Sequence, residues 1–347
     1  MKSYAAIARM SDAQLLEQSF GSLGLSIGTS GPMGSLLRAR IQRLWAELEA
    51  KGLRFRPHVW LSTDFFSPDG VPGIALPFYL VHPRLMLLER LQNQGCEGQG
   101  EAEGMRLLRH EAGHAFDTAF GLHRRPEWRR LFGKRSAPYL RSYAADPASR
   151  DFVRYLPLWY AQSHPAEDFA ESFAIWLDPA CARLTQGLSP LGREKLAWIG
   201  EVLHSLRHTA PLVKIREQTE ALHIGPRRTR TLAQHYFQRT RRTAREPDPS
   251  FAPWLKRAFS STGNELQRSS AAAHLQAQLS DMRACLPLRW REDFYSQKQV
   301  HDAMLQHCRL EGLRLAPGAA GPSPALQASW VSRSLDALSA GTARLGR

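Results

Sequence analysis

Residues 107–120, LLRHEAGHAFDTAF, place two histidines four apart with a glutamate between them: His110-Glu111-Ala112-Gly113-His114. On a helix, positions four apart lie one above the other, so both imidazoles reach a single ion. Glu111 then flanks that ion without ligating it, ready to take a proton from a water whose pKa a zinc ion lowers. Gly113 leaves room for another element to come close to this helix. Asp117, one turn beyond His114, can hydrogen-bond a ligand histidine from behind. The same pattern arises in helices that bind no metal, so the question is whether the chain supplies a third ligand.

A catalytic zinc takes three protein ligands and keeps one position open. Three side chains can complete the set. His123 follows His114 by nine residues. The longer spacing HExxHxxGxxH fails, because Asp117 and Phe120 stand where it needs Gly and His. His123 with the following Pro126-Glu127-Trp128 is loosely similar to the third-histidine region of SprT-type DNA-associated proteases. His164 opens HPAEDFAESFAIWLDP (164–179), a strong helix, and can ligate or only cap it. Glu167 lies one turn into that helix, and Glu171 shares its face, opposite Phe169 and Phe173. Two carboxylates four apart disfavour a bare helix, and a nearby cation reverses that sign. Tyr160 precedes Glu167 by seven residues. Its hydroxyl can steady an oxyanion or protonate a leaving amine, or its ring can be a wall of the core.

The rest of the 347 residues supplies context. No apolar run approaches the roughly 18–20 residues that span a membrane. The start, MKSYAAIARMSDAQLLEQ, lacks the apolar stretch of a signal peptide, which predicts a cytoplasmic protein. Cys96, Cys181, Cys285 and Cys308 form no CxxC pair, which argues for free thiols rather than a thiolate zinc site. The net charge of +14 attracts nucleic acid, anionic surfaces or acidic substrates without choosing among them. Seven arginines lie between 227 and 245, and phosphate contact through them would be nonspecific. Aromatic interleaving is thin there: Tyr236, Phe237, then Trp254. The Gly/Ser-rich stretch 21–35 lacks the Gly-Lys-Ser/Thr of a phosphate loop and reads as a linker, with Ser35 capping a helix over 36–50. Residues 54–63 and 73–83 read as strands. Pro77 points to a sheet edge, which is open to an extended peptide or merely structural.

Three segments resemble a bacterial family of zinc-binding metallopeptidases of the HExxH, zincin-like kind with a glutamate as third ligand. They are GLRFRPHVWLSTDFFSPDGVPGIALPFYLVHPRL (52–85), LLRHEAGHAFDTAF (107–120) and WYAQSHPAEDFAESFAIWLDP (159–179), with a weaker echo through TLAQHYFQRTRR (231–242). The HExGHxxD motif, and a tyrosine seven residues before Glu-x-x-x-Glu, are also similar to lethal-factor-type zincin toxins. The family resemblance implies His110, His114 and Glu167 as ligands and Glu111 as base. The reading built on it has one zinc per chain, Tyr160 steadying the oxyanion, and Glu171, Asp117 and His164 orienting the ligands.

The expected fold is α+β and zincin-like: a small mixed sheet over an active-site helix, then a mostly helical C-terminal region. The expected organisation is an N-terminal segment 1–20, a metallopeptidase domain 21–212, an Arg-rich helical region 213–313 and a low-complexity, disordered tail 314–347. The expected function is zinc-dependent hydrolysis of a peptide or protein substrate. The alternatives are a nucleic-acid-associated zinc protein and a zinc scaffold without turnover.

Overall fold

A computed structural model describes residues 2–27, 31–93, 95–139, 143–144, 146, 148–243, 255–256, 259–260, 270–278, 282, 285, 294–315 and 342–343. The chain divides into two compact units, 1–140 with 148–238, and 141–147 with 239–347. Residues 213–238 thus belong to the first unit.

In the first unit, helices α1 (Tyr4–Arg9), α2 (Asp12–Leu16) and α3 (Phe20–Leu23) precede the long α4 (Gly31–Ala50). Ser3, Ser11 and Ser19 cap the three short helices with their side chains. Residues 21–23 and 31–35 of the stretch read as a linker are helical. Pro32 sits in the first turn of α4, where a missing N–H is harmless, and Ser35 lies inside the helix. Ile7, Leu15, Phe20 and Leu23 are buried in the main core beside Leu37, Ile41, Leu44 and Leu48 of α4. The chain near 230 holds this N-terminal segment: Phe20 N–H donates to Arg230 O at 3.1 Å, and Leu232 N–H to Gln18 O at 2.9 Å.

Strands β1 (His58–Ser62) and β2 (Gly73–Pro77) pair in parallel, His58 opposite Gly73 and Ser62 opposite Pro77. Phe66 adds one antiparallel bridge to the other side of β2, and Ala75 N–H donates to Phe66 O at 2.8 Å. Thus Phe66 already pairs the middle of β2, the strand whose edge could have been either open to an extended peptide or merely structural. β2 ends at Pro77, which lacks a ladder donor, and Phe78–Val81 coil into a 3-10 turn. A fully buried apolar run of this kind fits strand or helix equally, and packing decides between them.

Helices α5 (Pro83–Asn93), α6 (Glu101–Phe120), α7 (Pro126–Phe132), α8 (Pro165–Leu177), α9 (Cys181–Leu184), α10 (Pro190–Ser205), α11 (Gly225–Thr229) and the part of α12 (Leu232–Thr243) up to residue 238 complete this unit. Glu101 and Glu103 sit in the first turn of α6, where the helix dipole favours negative charge. Gly121 ends α6 with a left-handed φ of 59°. Pro165 starts α8. Phe116 of α6 packs on Phe173 of α8, ring centroids 5.1 Å apart. Between the two helices, a Cβ added at Gly113 would lie 2.9 Å from Ala170 Cα, so only glycine permits this approach.

The second unit contains β3 (Tyr143–Ala144), β4 (Phe259–Ser260), α13 (Ala271–Ala277), α14 (Phe294–Leu310), β5 (Arg314–Leu315) and β6 (Thr342–Ala343). β3 pairs antiparallel with β6, and β4 with β5. Leu275, Met304, Leu305 and Leu313 are in its core. Residues 314–315 and 342–343 therefore form short strands; the disorder expected for the rest of 314–347 lies outside the described residues, as do Arg245 of the basic stretch and Trp254. Cys96, Cys181 and Cys308 are free thiols. Among the described residues no helix is long and apolar enough to cross a membrane.

Candidate metal centre

Helices α6 and α8 face each other and bring three ligand-type atoms to one point. His110 Nε2 and His114 Nε2 are 3.2 Å apart. Oε2 of Glu167 lies 3.1 Å from His110 Nε2 and 3.1 Å from His114 Nε2. These three are the only such metal-type group of His, Cys, Asp and Glu found among the described residues. A tetrahedral zinc with ligand bonds of about 2.0–2.1 Å sets its ligand atoms roughly 3.3–3.4 Å apart, so the donor set fits that ion in size and type. It fits in charge as well. Two imidazole nitrogens and a carboxylate oxygen turned toward one centre call for a positive charge there, a proton or a metal cation. His114 keeps 15% of its side chain exposed against 3% for His110 and 6% for Glu167, so solvent reaches the cluster from the His114 side.

The other ring nitrogen of His110 has a carboxylate partner of its own. Its Nδ1 lies 2.9 Å from Glu171 Oε1. An Nδ1–H donating there leaves the Nε2 lone pair turned to the cluster. Glu171 is fully buried, and its other oxygen accepts the backbone N–H groups of Tyr155 at 3.2 Å and Leu156 at 2.7 Å. The like-charged pair four apart on α8 therefore divides its work: Glu167 turns to the imidazole nitrogens, and Glu171 grips His110 and the incoming chain.

The electrostatics follow from burial and these partners. Burial pushes the imidazolium of His110 down, but Glu167 and Glu171 outweigh it and raise His110 well above the usual range. Burial likewise pushes Glu167 up, and the two histidines overcome it and hold the carboxyl well below the ordinary value. Glu111 is buried beside them, and desolvation raises it despite the opposing pull of His110 and His114. A backbone contact from Ser67, in the loop after β1, partly offsets that rise.

Three other candidates sit elsewhere. Asp117, expected behind a ligand histidine, instead accepts the His123 backbone N–H at 2.7 Å and faces His123 Nδ1 at 3.1 Å. The chain turns back after Gly121 and presents His123 to it. His123 is thereby engaged and is not part of the three-atom cluster. His164 caps α8: Nδ1 accepts the Ala166 N–H at 3.1 Å, and Nε2–H donates to Ala137 O at 2.8 Å. Both of its ring nitrogens are occupied. Tyr160 lies in the 3-10 turn Pro157–Gln162 with its ring centroid 5.7 Å from that of His110. The residue before it, Trp159, has a φ of 52°, a left-handed conformation unusual for a bulky side chain. The Arg154 guanidinium lies 4.4 Å from the Trp159 ring centroid.

A tyrosine absent from the sequence reading reaches the cluster. The Tyr139 hydroxyl donates to Glu167 Oε1 at 2.7 Å. It lies in the loop KRSAPY (134–139), which has no periodicity to tie it to any helix face. Arg135 of the same loop pairs with Asp69 and lies 3.7 Å from Asp117.

The fold and cluster thus define an α+β chain with a buried His-His-Glu site that fits a metal ion. Residues 105–186 match the model of a protein family described as "Putative zinc-binding metallo-peptidase". The matched span holds the cluster, Glu111, Tyr139 and Tyr160, and supports a zinc-binding peptidase at that coarse level. Searches among curated proteins and among solved structures found no match.

Proposed function

We propose that this chain is a zinc-dependent peptidase of the zincin class, with one zinc held by His110, His114 and Glu167. The observation that carries this reading is the mutual 3.1–3.2 Å spacing of the three ligand atoms with Glu111 buried on the same helix. When bound, zinc would polarise the scissile carbonyl and acidify an attacking water. Glu111 accepts the proton of that water and returns it to the leaving amine. Glu171 keeps His110 in the tautomer that offers Nε2 to the metal. Tyr160, whose ring centroid lies 5.7 Å from that of His110, is the residue we assign to steadying the oxyanion. His164 contributes indirectly, as the cap that starts the helix carrying Glu167 and Glu171. An extended peptide or protein segment is the substrate class that this chemistry serves.

The test measures bound metal and peptide hydrolysis together. About one zinc per chain is expected by mass spectrometry. Glu111→Gln is expected to keep the zinc and lose at least about 100-fold in hydrolysis of a peptide library, the usual scale for a positioned general base. An unchanged rate in Glu111→Gln refutes this mechanism. Zinc bound without cleavage of any library member favours a zinc scaffold.

A further inference from the structure

Oε2 of Glu167 faces the two histidines, and its other oxygen has a partner of its own. A carboxylate only accepts, so the Tyr139 O–H must donate to Oε1, at 2.7 Å. The terminal torsion of a glutamate is broad, and nothing in the side chain itself holds one oxygen toward a given point. A hydrogen bond to Oε1 removes that freedom and leaves Oε2 directed at His110 and His114.

Tyr139 can do this because it is itself held. Its ring stacks on that of His164, centroids 3.7 Å apart and planes 12° from parallel. His164 is fixed at both nitrogens, by the Ala166 N–H at the start of α8 and by the carbonyl of Ala137, two residues before Tyr139. The His164 side chain therefore does two things at once. It caps the helix that bears Glu167, and it anchors the loop whose tyrosine restrains Glu167. Arg135, paired with Asp69 and close to Asp117, pins the same loop at its other end. All of these contacts lie within the first unit.

We infer that Tyr139, seated on the His164 ring, is a positioning residue that fixes Glu167 as a one-oxygen metal ligand; this rests on the ligand set proposed above. Its role differs from that of Tyr160, which the seven-residue spacing had put forward. Tyr139 acts on the metal through Glu167, so its removal shows in metal affinity before any chemistry takes place.

The test uses the full chain and zinc alone. Zinc affinity is measured by competition with a chromophoric chelator for wild type, Tyr139→Phe and Glu167→Ala, with the thermal midpoint of each metal-free protein beside it. Tyr139→Phe keeps the ring on His164 and deletes only the hydroxyl. We expect zinc binding weakened by about 10–100-fold, the range for losing a group that orients a ligand, with the metal-free midpoint close to wild type. The visible spectrum of the cobalt-substituted variant should shift too, because the carboxylate changes its mode of coordination. Zinc affinity within twofold of wild type in Tyr139→Phe, while Glu167→Ala loses the metal, overturns this inference and leaves the ligand set intact. Full zinc affinity in Glu167→Ala overturns both.

Discussion

Gly113 is where a single methyl group tests the whole arrangement of the two helices. A Cβ at this position would lie 2.9 Å from Ala170 Cα, 3.1 Å from Ala170 O and 3.2 Å from Phe173 Cβ. Carbon atoms in contact prefer about 3.5–4.0 Å, so α6 and α8 must part by roughly half an ångström or more. The obstacles are backbone atoms and a Cβ, none of which can swing away as a long side chain would. Overpacking of this kind costs about 1–3 kcal/mol, and rigid obstacles argue for the upper half of that range. Alanine regains about 1 kcal/mol over glycine in a helix interior. Gly113→Ala should therefore destabilise the metal-free protein by roughly 1–2 kcal/mol, a fall of roughly 2–8 °C in thermal midpoint for a chain of this size. The larger effect belongs to the metal. His110 and His114 ride on α6 and Glu167 on α8, and their ligand atoms lie 3.1–3.2 Å apart. A site needs its groups within about 0.5 Å of the productive geometry, so zinc affinity should fall at least about tenfold. Urea unfolding of the metal-free protein and chelator competition measure the two effects separately. A Gly113→Ala protein as stable as wild type, with unchanged zinc affinity, refutes the close packing of α6 on α8 from which both numbers come.

Two further outcomes follow from groups outside the ligand set. Arg109 is buried and donates to both oxygens of Glu47 at 2.7 Å, to Asp178 at 2.6 Å and to the Tyr155 hydroxyl at 2.7 Å. Arg109→Ala strands those carboxylates and should cost about 3–5 kcal/mol by urea unfolding; a loss under about 1 kcal/mol contradicts the buried network. His82 is buried, with Nδ1 accepting the Arg84 N–H and Nε2 donating to Tyr4 O. Burial lowers its imidazole below the ordinary range, so the folded chain keeps it neutral while the unfolded chain takes up a proton near pH 6.5. The unfolded state then binds more protons, and this contribution is present above about pH 6.5 and lost as pH falls, by at most about 1.4 kcal/mol per pH unit. Urea midpoints between pH 7.5 and 5.5 should fall more steeply in wild type than in His82→Asn, and equal slopes would exclude His82 as a cause.

What was legible in the sequence is what a single helix fixes by its own period. His110 and His114 share a face because they are four apart, and so do Glu167 and Glu171, whatever the rest of the chain does. The meeting of those two faces depends on Gly113 and Ala170, fifty-seven residues apart, and only motif resemblance connected them beforehand. Spacing arguments are weaker where a side chain has a choice of partner. Asp117 sits one turn beyond His114, but a backbone N–H from the returning chain claims its carboxylate, and no count along α6 includes that chain. The strand read over 73–83 runs only to Pro77, because a run buried on every side carries no period to separate strand from turn. The tyrosines show the same limit. Tyr160 was visible because a fixed number of residues separates it from Glu167, and its ring does pack against His110. Tyr139 lies in a loop where no period operates, and its place on the Glu167 carboxylate follows from a stacked histidine and a backbone carbonyl. The three candidate ligands all lie on helices, whose period fixes their spacing. Residues that orient the ligands need only arrive, and a loop brings them as well as a helix does.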